Sequence, residues 1–190
     1  MTCEDGTKKY FVNDRLHRED GPAIIRADGT QEYYINGDLH RIDGPAVISP
    51  DGREEYWVND RRHRTDGPAI IYSNGRKDYY INGELHRKDG PAITYPDGRE
   101  EYWINGRLHR EDGPAVIHTN GSKEYWVNGK LHRADGPAII HYTSNYIRWF
   151  IYGVDVTKEV NDWLLFTKYT LPLSSDNMLE FKLIFGIGKE

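Results

Sequence analysis

The sequence predicts a mainly β protein. It reads as an elongated array of stacked β-hairpin repeats, about six units of 23 residues, closed by a short α-helical C-terminal cap. Three observations carry this expectation. The segment His-Arg-x-Asp-Gly-Pro-Ala recurs without drift, with its histidines at His17, His40, His63, His86, His109 and His132. Each interval holds two β-prone runs bounded by turn dipeptides. After Gly153 the pattern ends and helical signals begin.

Within one unit, Glu101 to Ile104 and Pro114 to His118 are the β-prone runs. Asn105-Gly106 and Asn120-Gly121 follow them and suit type I′ turns, in which both central residues need positive φ. Other copies carry Asp28-Gly29, Asp51-Gly52, Asn74-Gly75 and Asp97-Gly98 at the second site. Asn13-Asp14 and Asn59-Asp60 stand at the first, where Asp accepts positive φ less readily than Gly.

The third connection is the His-Arg-x-Asp-Gly-Pro loop. Gly before Pro makes a sharp turn, and Pro, lacking an N–H, suits a strand's first residue. The loop aspartates Asp20, Asp43, Asp66, Asp89, Asp112 and Asp135 can accept hydrogen bonds from backbone N–H groups. The His and Arg can donate to that Asp or to the Asp of the next unit. The Ala is small where hairpins pack closely. Histidines and aspartates together therefore read as a structural staple.

Alternation along the strands predicts ladders. Tyr10, Tyr33, Tyr56, Tyr79, Tyr102 and Tyr125 form one row, with Val12, Ile35, Val58, Ile81, Ile104 and Val127 on the same face. Phe11, Tyr34, Trp57, Tyr80, Trp103 and Trp126 form a row on the opposite face. This last row is the candidate binding surface, because exposed Tyr and Trp dominate binding hot spots. The competing reading is that it packs under a neighbouring layer, since large aromatics usually bury area. Repeated carboxylates such as Glu54 and Glu55, or Glu100 and Glu101, read as cross-strand partners of Arg and Lys.

The array is expected to span residues 1–153 and the cap residues 154–190. Asp5-Gly6 opens the period with half a hairpin. Trp149-Phe150-Ile151-Tyr152-Gly153 is a seventh, degenerate copy, displaced by one residue through an insertion within Tyr142 to Tyr146. A first helix is predicted over Lys158 to Tyr169, capped by Asp155 or Thr157, with Val160, Trp163, Leu164 and either Phe166 or Thr167 on its apolar face. A second is predicted over Asn177 to Phe185, with caps in Ser174-Ser175-Asp176 and a stop at Gly186. Open arrays need such caps, and a helical cap can also dock or dimerise.

Composition narrows the function classes. A net charge of −5 argues against a nucleic-acid binder, which needs a basic footprint. One cysteine, Cys3, forms no internal disulfide, and no apolar run reaches the length of a membrane span, so a soluble cytoplasmic protein is expected. The histidine row suggests a metal site, but units of two strands place neighbouring histidines roughly 10 Å apart. Zinc holds its ligands at about 2.1 Å, so no metal is expected. The off-repeat His118 and His141 occupy equivalent positions in consecutive units and nothing unique accompanies them; neither an enzyme nor a cofactor is expected.

Trp103-Ile104-Asn105-Gly106-Arg107-Leu108-His109, repeated from Trp126 to His132, has the form Trp-x-x-Gly-x-x-His. It resembles the membrane occupation and recognition nexus (MORN) repeat, a β-hairpin unit that stacks into an elongated sheet. The likeness covers about residues 5–153. The family's His-Gly-x-Gly is replaced here by His109-Arg110-Glu111-Asp112-Gly113-Pro114, and its Tyr-x-Gly-x-Trp spacing by Tyr102-Trp103. The chain is thus similar to His-Arg-x-Asp-Gly-Pro-Ala repeat proteins of large phages and giant viruses. The resemblance implies scaffolding, dimerisation and partner binding; the altered loop argues against carrying over lipid binding. The leading expectation is a non-enzymatic module that binds another protein, a host factor in the host cytoplasm if the chain is viral. The alternatives are a structural homo-oligomer and a carbohydrate- or membrane-surface binder.

Overall fold

The computed structural model describes residues 1–144 and 146–187. The fold is mainly β, repeated antiparallel hairpins followed by two C-terminal helices. The chain divides into two compact units, Met1–Asp97 with Trp103–Gly106, and Gly98–Tyr102 with Arg107–Glu190.

In the first unit the sheet order follows the chain through Lys8–Lys9, Ile24–Ile25, Gln31–Glu32, Val47–Ile48, Glu54–Glu55, Ile70–Ile71, Lys77–Asp78 and Ile93–Thr94. Each repeat adds two of these strands. The register places apolar and acidic residues opposite each other in a continuous row. Ile24 faces Glu32, Val47 faces Glu32 and Glu55, and Ile70 faces Glu55 and Asp78. Every repeat also forms a small separate hairpin, such as Trp57–Val58 with Arg61–Arg62. The β-prone run is therefore split rather than continuous. It breaks at the tyrosine, where Tyr56 N donates to Ala69 O at 2.7 Å and Tyr56 O accepts from His63 N at 3.0 Å. The tyrosine is the corner at which the chain leaves the sheet for the hairpin.

Both turn sites have a physical signature. The hairpin tips hold two consecutive residues at positive φ, as at Asn36 (54°) and Gly37 (99°), which is the type I′ geometry the sequence predicts. Asn59-Asp60 adopts it too, and the Asp60 carboxylate accepts the Leu39 N–H at 2.7 Å. The second site differs from the expectation. At Asn120-Gly121 only Gly121 has positive φ, and the His118 and Ser122 backbones close a three-residue loop. That is a type I turn with a glycine bulge, and the residue before Gly accepts a bond two residues on, as Asn120 Oδ1 does from Ser122 N.

The loop alanines Ala23, Ala46, Ala69 and Ala92 are fully buried in the first unit, as are Ala115 and Ala138 in the second. Glu32, Glu55 and Asp78 are also buried, each with a guanidinium at 2.5–2.7 Å from Arg26, Arg53 or Arg76. These partners sit on the same segment as the carboxylate or across its turn. The expected Arg or Lys from a facing strand is not what neutralises Glu55, which takes Arg53 and Arg62.

In the second unit the sheet order follows the chain through Glu100–Glu101, Val116–Ile117, Lys123–Glu124, Ile139–His141 and Tyr146–Arg148. The last two strands are three residues long and pair with each other, Ile139 with Arg148, Ile140 with Ile147 and His141 with Tyr146. Helix α1 spans Thr157–Thr167 and α2 spans Ser175–Ile184. Asp155 Oδ1 accepts from Thr157 N, though the residue at the α1 N-cap is Val156, with no side-chain bond. Ser174 caps α2 by accepting from Asn177 N. Trp149, Val160, Trp163 and Phe181 form the core of this end, with Leu164 packed against it. Phe166 is not part of the apolar face; it is exposed. Among the described residues no helix is long and apolar enough to cross a membrane.

Candidate functional site

The repeated loop is organised by its arginine. Each guanidinium lies over the corner tyrosine eight residues earlier: Arg18 over Tyr10 at 4.2 Å, Arg41 over Tyr33 at 4.0 Å, Arg64 over Tyr56 at 3.9 Å and Arg87 over Tyr79 at 4.0 Å. In the second unit Arg110 covers Tyr102 and Arg133 covers Tyr125 in the same way. Such stacking holds a cation against the negative face of the ring. Arg64 Nε also donates to Asp66 Oδ1 at 2.9 Å, and Nη1 to Pro68 O at 3.4 Å. The hydrogen bond from the arginine holds the Asp20, Asp43, Asp66 and Asp112 carboxyls below the usual carboxylate range. The loop glycine leaves room for this packing: a Cβ on Gly67 would sit 2.9 Å from Arg64 Cζ and push the guanidinium aside.

The histidine does a different job from the one expected. It reaches the asparagine at the next repeat's hairpin tip, neither the aspartate of its own loop nor that of the next. Asn82 N donates to His63 Nδ1 at 3.1 Å, and the same bond recurs from Asn36 to His17, Asn59 to His40, Asn105 to His86 and Asn128 to His109. Each joint ties a loop to the hairpin tip 19 residues on. At His132 the donor is Tyr152 N, 20 residues on, and the two rings stack at 4.1 Å. Burial pushes the His132 imidazole below its ordinary value.

Stapled in this way, consecutive loops wall a series of shallow clefts. One of about 470 Å³ lies between the first two loops, lined by Glu19, Tyr33, Ile35, His40, Ile42 and neighbouring loop atoms. The next, about 420 Å³, repeats the pattern one unit on with Ile42, Tyr56, Val58, His63 and Thr65. The second unit has an equivalent of about 640 Å³ between the loops at Arg110 and Arg133, where Lys182 of α2 joins the lining. One residue in each loop is not repeated. Between identical His-Arg and Asp-Gly-Pro-Ala the chain carries Glu19, Ile42, Thr65, Lys88, Glu111 and Ala134. The first five are exposed; Ile42 shows 86% of its surface to solvent despite being apolar. Ala134 is half-buried, in the cleft that Lys182 lines.

The aromatic row lies elsewhere. Tyr34, Trp57, Tyr80, Trp103 and Trp126 are half-buried, and Phe11 is exposed. Trp57 Nε1 donates to Glu55 at 3.1 Å, with Arg62 over its ring at 4.9 Å, and Trp126 Nε1 donates to Glu124 at 3.0 Å. Burial beside Glu32 pushes the Tyr34 phenol up to about 12. These aromatics cover the acidic row of the sheet. The alternation pattern marks a row of large aromatics but not what lies beneath them. The variable loop position was present in the sequence as the single break in a seven-residue identity. Among the described residues, no three His, Cys, Asp or Glu side chains gather as a metal site would require. Compared with known protein families and with curated proteins, the chain matches none.

Proposed function

We propose that the protein is a non-enzymatic interaction module that binds another protein across the row of clefts on its loop face. The observation that supports this is the contrast inside the loop. Six residues of each loop are spent on holding it together, and the seventh varies, faces solvent in the first five loops and lines the clefts at Glu19, Ile42 and Thr65. Rigid elements presenting adaptable side chains are how repeat arrays bind extended partners. The aromatic row is a weaker candidate, because its ring nitrogens and faces engage Glu and Arg of the protein itself.

Selection from a displayed library of random peptides tests the reading. The probe is the intact protein, compared with an Ile42→Asp/Thr65→Arg/Lys88→Glu variant whose changes are all at exposed positions. Peptides enriched on the protein and lost on the variant are expected. No enrichment, or equal enrichment on both, would overturn the proposal.

A further inference from the structure

The periodicity of the loop face also restricts the shape of its ligand. Each repeat adds two strands to the sheet of the first unit. At about 4.8 Å per strand, successive loops are spaced by about 9.6 Å. Three residues of a polyproline II helix advance about 9.3 Å and complete one turn, so every third side chain points the same way. A β-strand advances about 10 Å in three residues, but its period of two sends every third side chain to alternating sides. Of these two extended conformations, only the first keeps one side chain per repeat aimed at the loops.

The lining agrees. Proline-rich helices dock in grooves walled by aromatic rings, and Tyr33 and Tyr56, each with one guanidinium stacked over it, line a cleft beside a branched aliphatic, Ile35 or Val58. The variable residues then read the intervening positions. From Glu19 through Ile42 and Thr65 to Lys88 they run acidic, apolar, hydroxylated and basic. Glu19 lies 3.6 Å from His17 Nε2, but its side chain is 85% exposed and free to reach outward. A polymer that repeats one chemical group would meet the same residue in every loop, so this series fits a heteropolymer. Its opposite charges at the two ends do not suit a nucleic-acid backbone, which needs a basic footprint.

We infer that the first unit binds a proline-rich polypeptide segment in the polyproline II conformation. The segment carries a basic residue opposite Glu19, an apolar one opposite Ile42 and an acidic one opposite Lys88. This deepens the interaction reading above and rests on it.

The test uses the intact protein and synthetic ten-residue peptides. One reads Arg-Pro-Pro-Leu-Pro-Pro-Ser-Pro-Pro-Glu, and a second carries the same residues in reverse order, since such helices lack a fixed docking direction. A third replaces every Pro by Gly. Titration calorimetry should show one proline peptide binding, and the glycine peptide at least about tenfold weaker because it is not preorganised. Glu19→Arg should weaken the proline peptide about fivefold or more, as loss and reversal of an exposed pair does, and a Glu at the facing peptide position should restore it. Equal binding of the glycine peptide, or indifference to Glu19→Arg, would overturn the inference. If neither proline peptide binds while library peptides are still lost on the loop variant, this inference fails and the interaction reading stands. If no library peptide binds either, both fail.

Discussion

The buried pair Arg76–Asp78 gives the sharpest test of how the sheet is held together. The Asp78 side chain is 1% exposed, and its two oxygens take Arg76 Nε at 2.7 Å and Nη2 at 2.9 Å, with the Tyr72 hydroxyl donating at 3.2 Å. Arg76 is 30% exposed and also faces the Tyr72 and Tyr95 rings at 5.0 and 4.8 Å. The two partners therefore stand in different surroundings, and their removal should cost different amounts. Arg76→Ala strands a carboxylate in the row between Ile70 and Ile93, with the Tyr72 hydroxyl as its remaining donor among the bonds above. Breaking a buried pair from that side costs about 4 kcal/mol. Asp78→Ala strands a cation that can turn into water and keep its ring contacts, so about 2 kcal/mol is expected. The double variant should fall short of the summed losses by at least about 2 kcal/mol, because the stranded charge is gone. Native-state hydrogen exchange of the amides in Ile70–Ile71 and Ile93–Thr94 reads the local loss directly, which matters because repeat arrays open piecewise. Equal costs for the two single variants, or simple additivity in the double, would refute the reasoning.

Three further outcomes follow from the geometry. His132 is held neutral by burial, so its contribution is complete above about pH 6.5 and is lost as pH falls from there toward its lower folded value, while the unfolded chain takes up the proton first. Urea midpoints from pH 7.5 to 5.5 should show that slope, reduced in His132→Asn; an unchanged slope would count against it. Phe181→Ala removes a fully buried ring in contact with Trp149 and Trp163 and should cost about 3–5 kcal/mol, with faster exchange in α1. His63→Ala and Asp66→Ala touch separate networks, one joined to Asn82 and the other to Arg64, so their effects on the urea midpoint should add; a shortfall would mean that the two groups are coupled.

Much of the fold could be read from the chain before any coordinates. The type I′ tips at Asn36-Gly37, the insertion before Trp149 and the apolar face of α1 at Val160 and Trp163 all follow from local rules. What escaped depends on through-space neighbours. Nothing in a 23-residue period says whether a histidine bonds within its loop or one repeat on, because both contacts recur identically. The alternation at Glu55, Trp57 and the residues beside them marks a face but not its covering, which needs the Arg53 and Arg62 side chains to be placed. The three-residue loop at Asn120-Gly121 looks like a two-residue one, since Asn-Gly serves both; the bond from His118 N to Ser122 O and the positive φ confined to Gly121 distinguish them. The clefts arise from stacking and have no counterpart in any single repeat.

The histidine joint has a consequence for how such a chain can change length. Because each joint links a loop to the tip 19 residues ahead, removing or duplicating one whole 23-residue segment gives every His an equivalent asparagine at the same separation. A change of one residue has to be absorbed between loop and tip to keep the joint, as before Tyr152, whose N–H still reaches His132 across 20 residues while its ring stacks on the imidazole. The gene can therefore be edited in whole steps, each adding or deleting one variable loop position without disturbing the others. The number and order of those positions become separable from the stability of the scaffold.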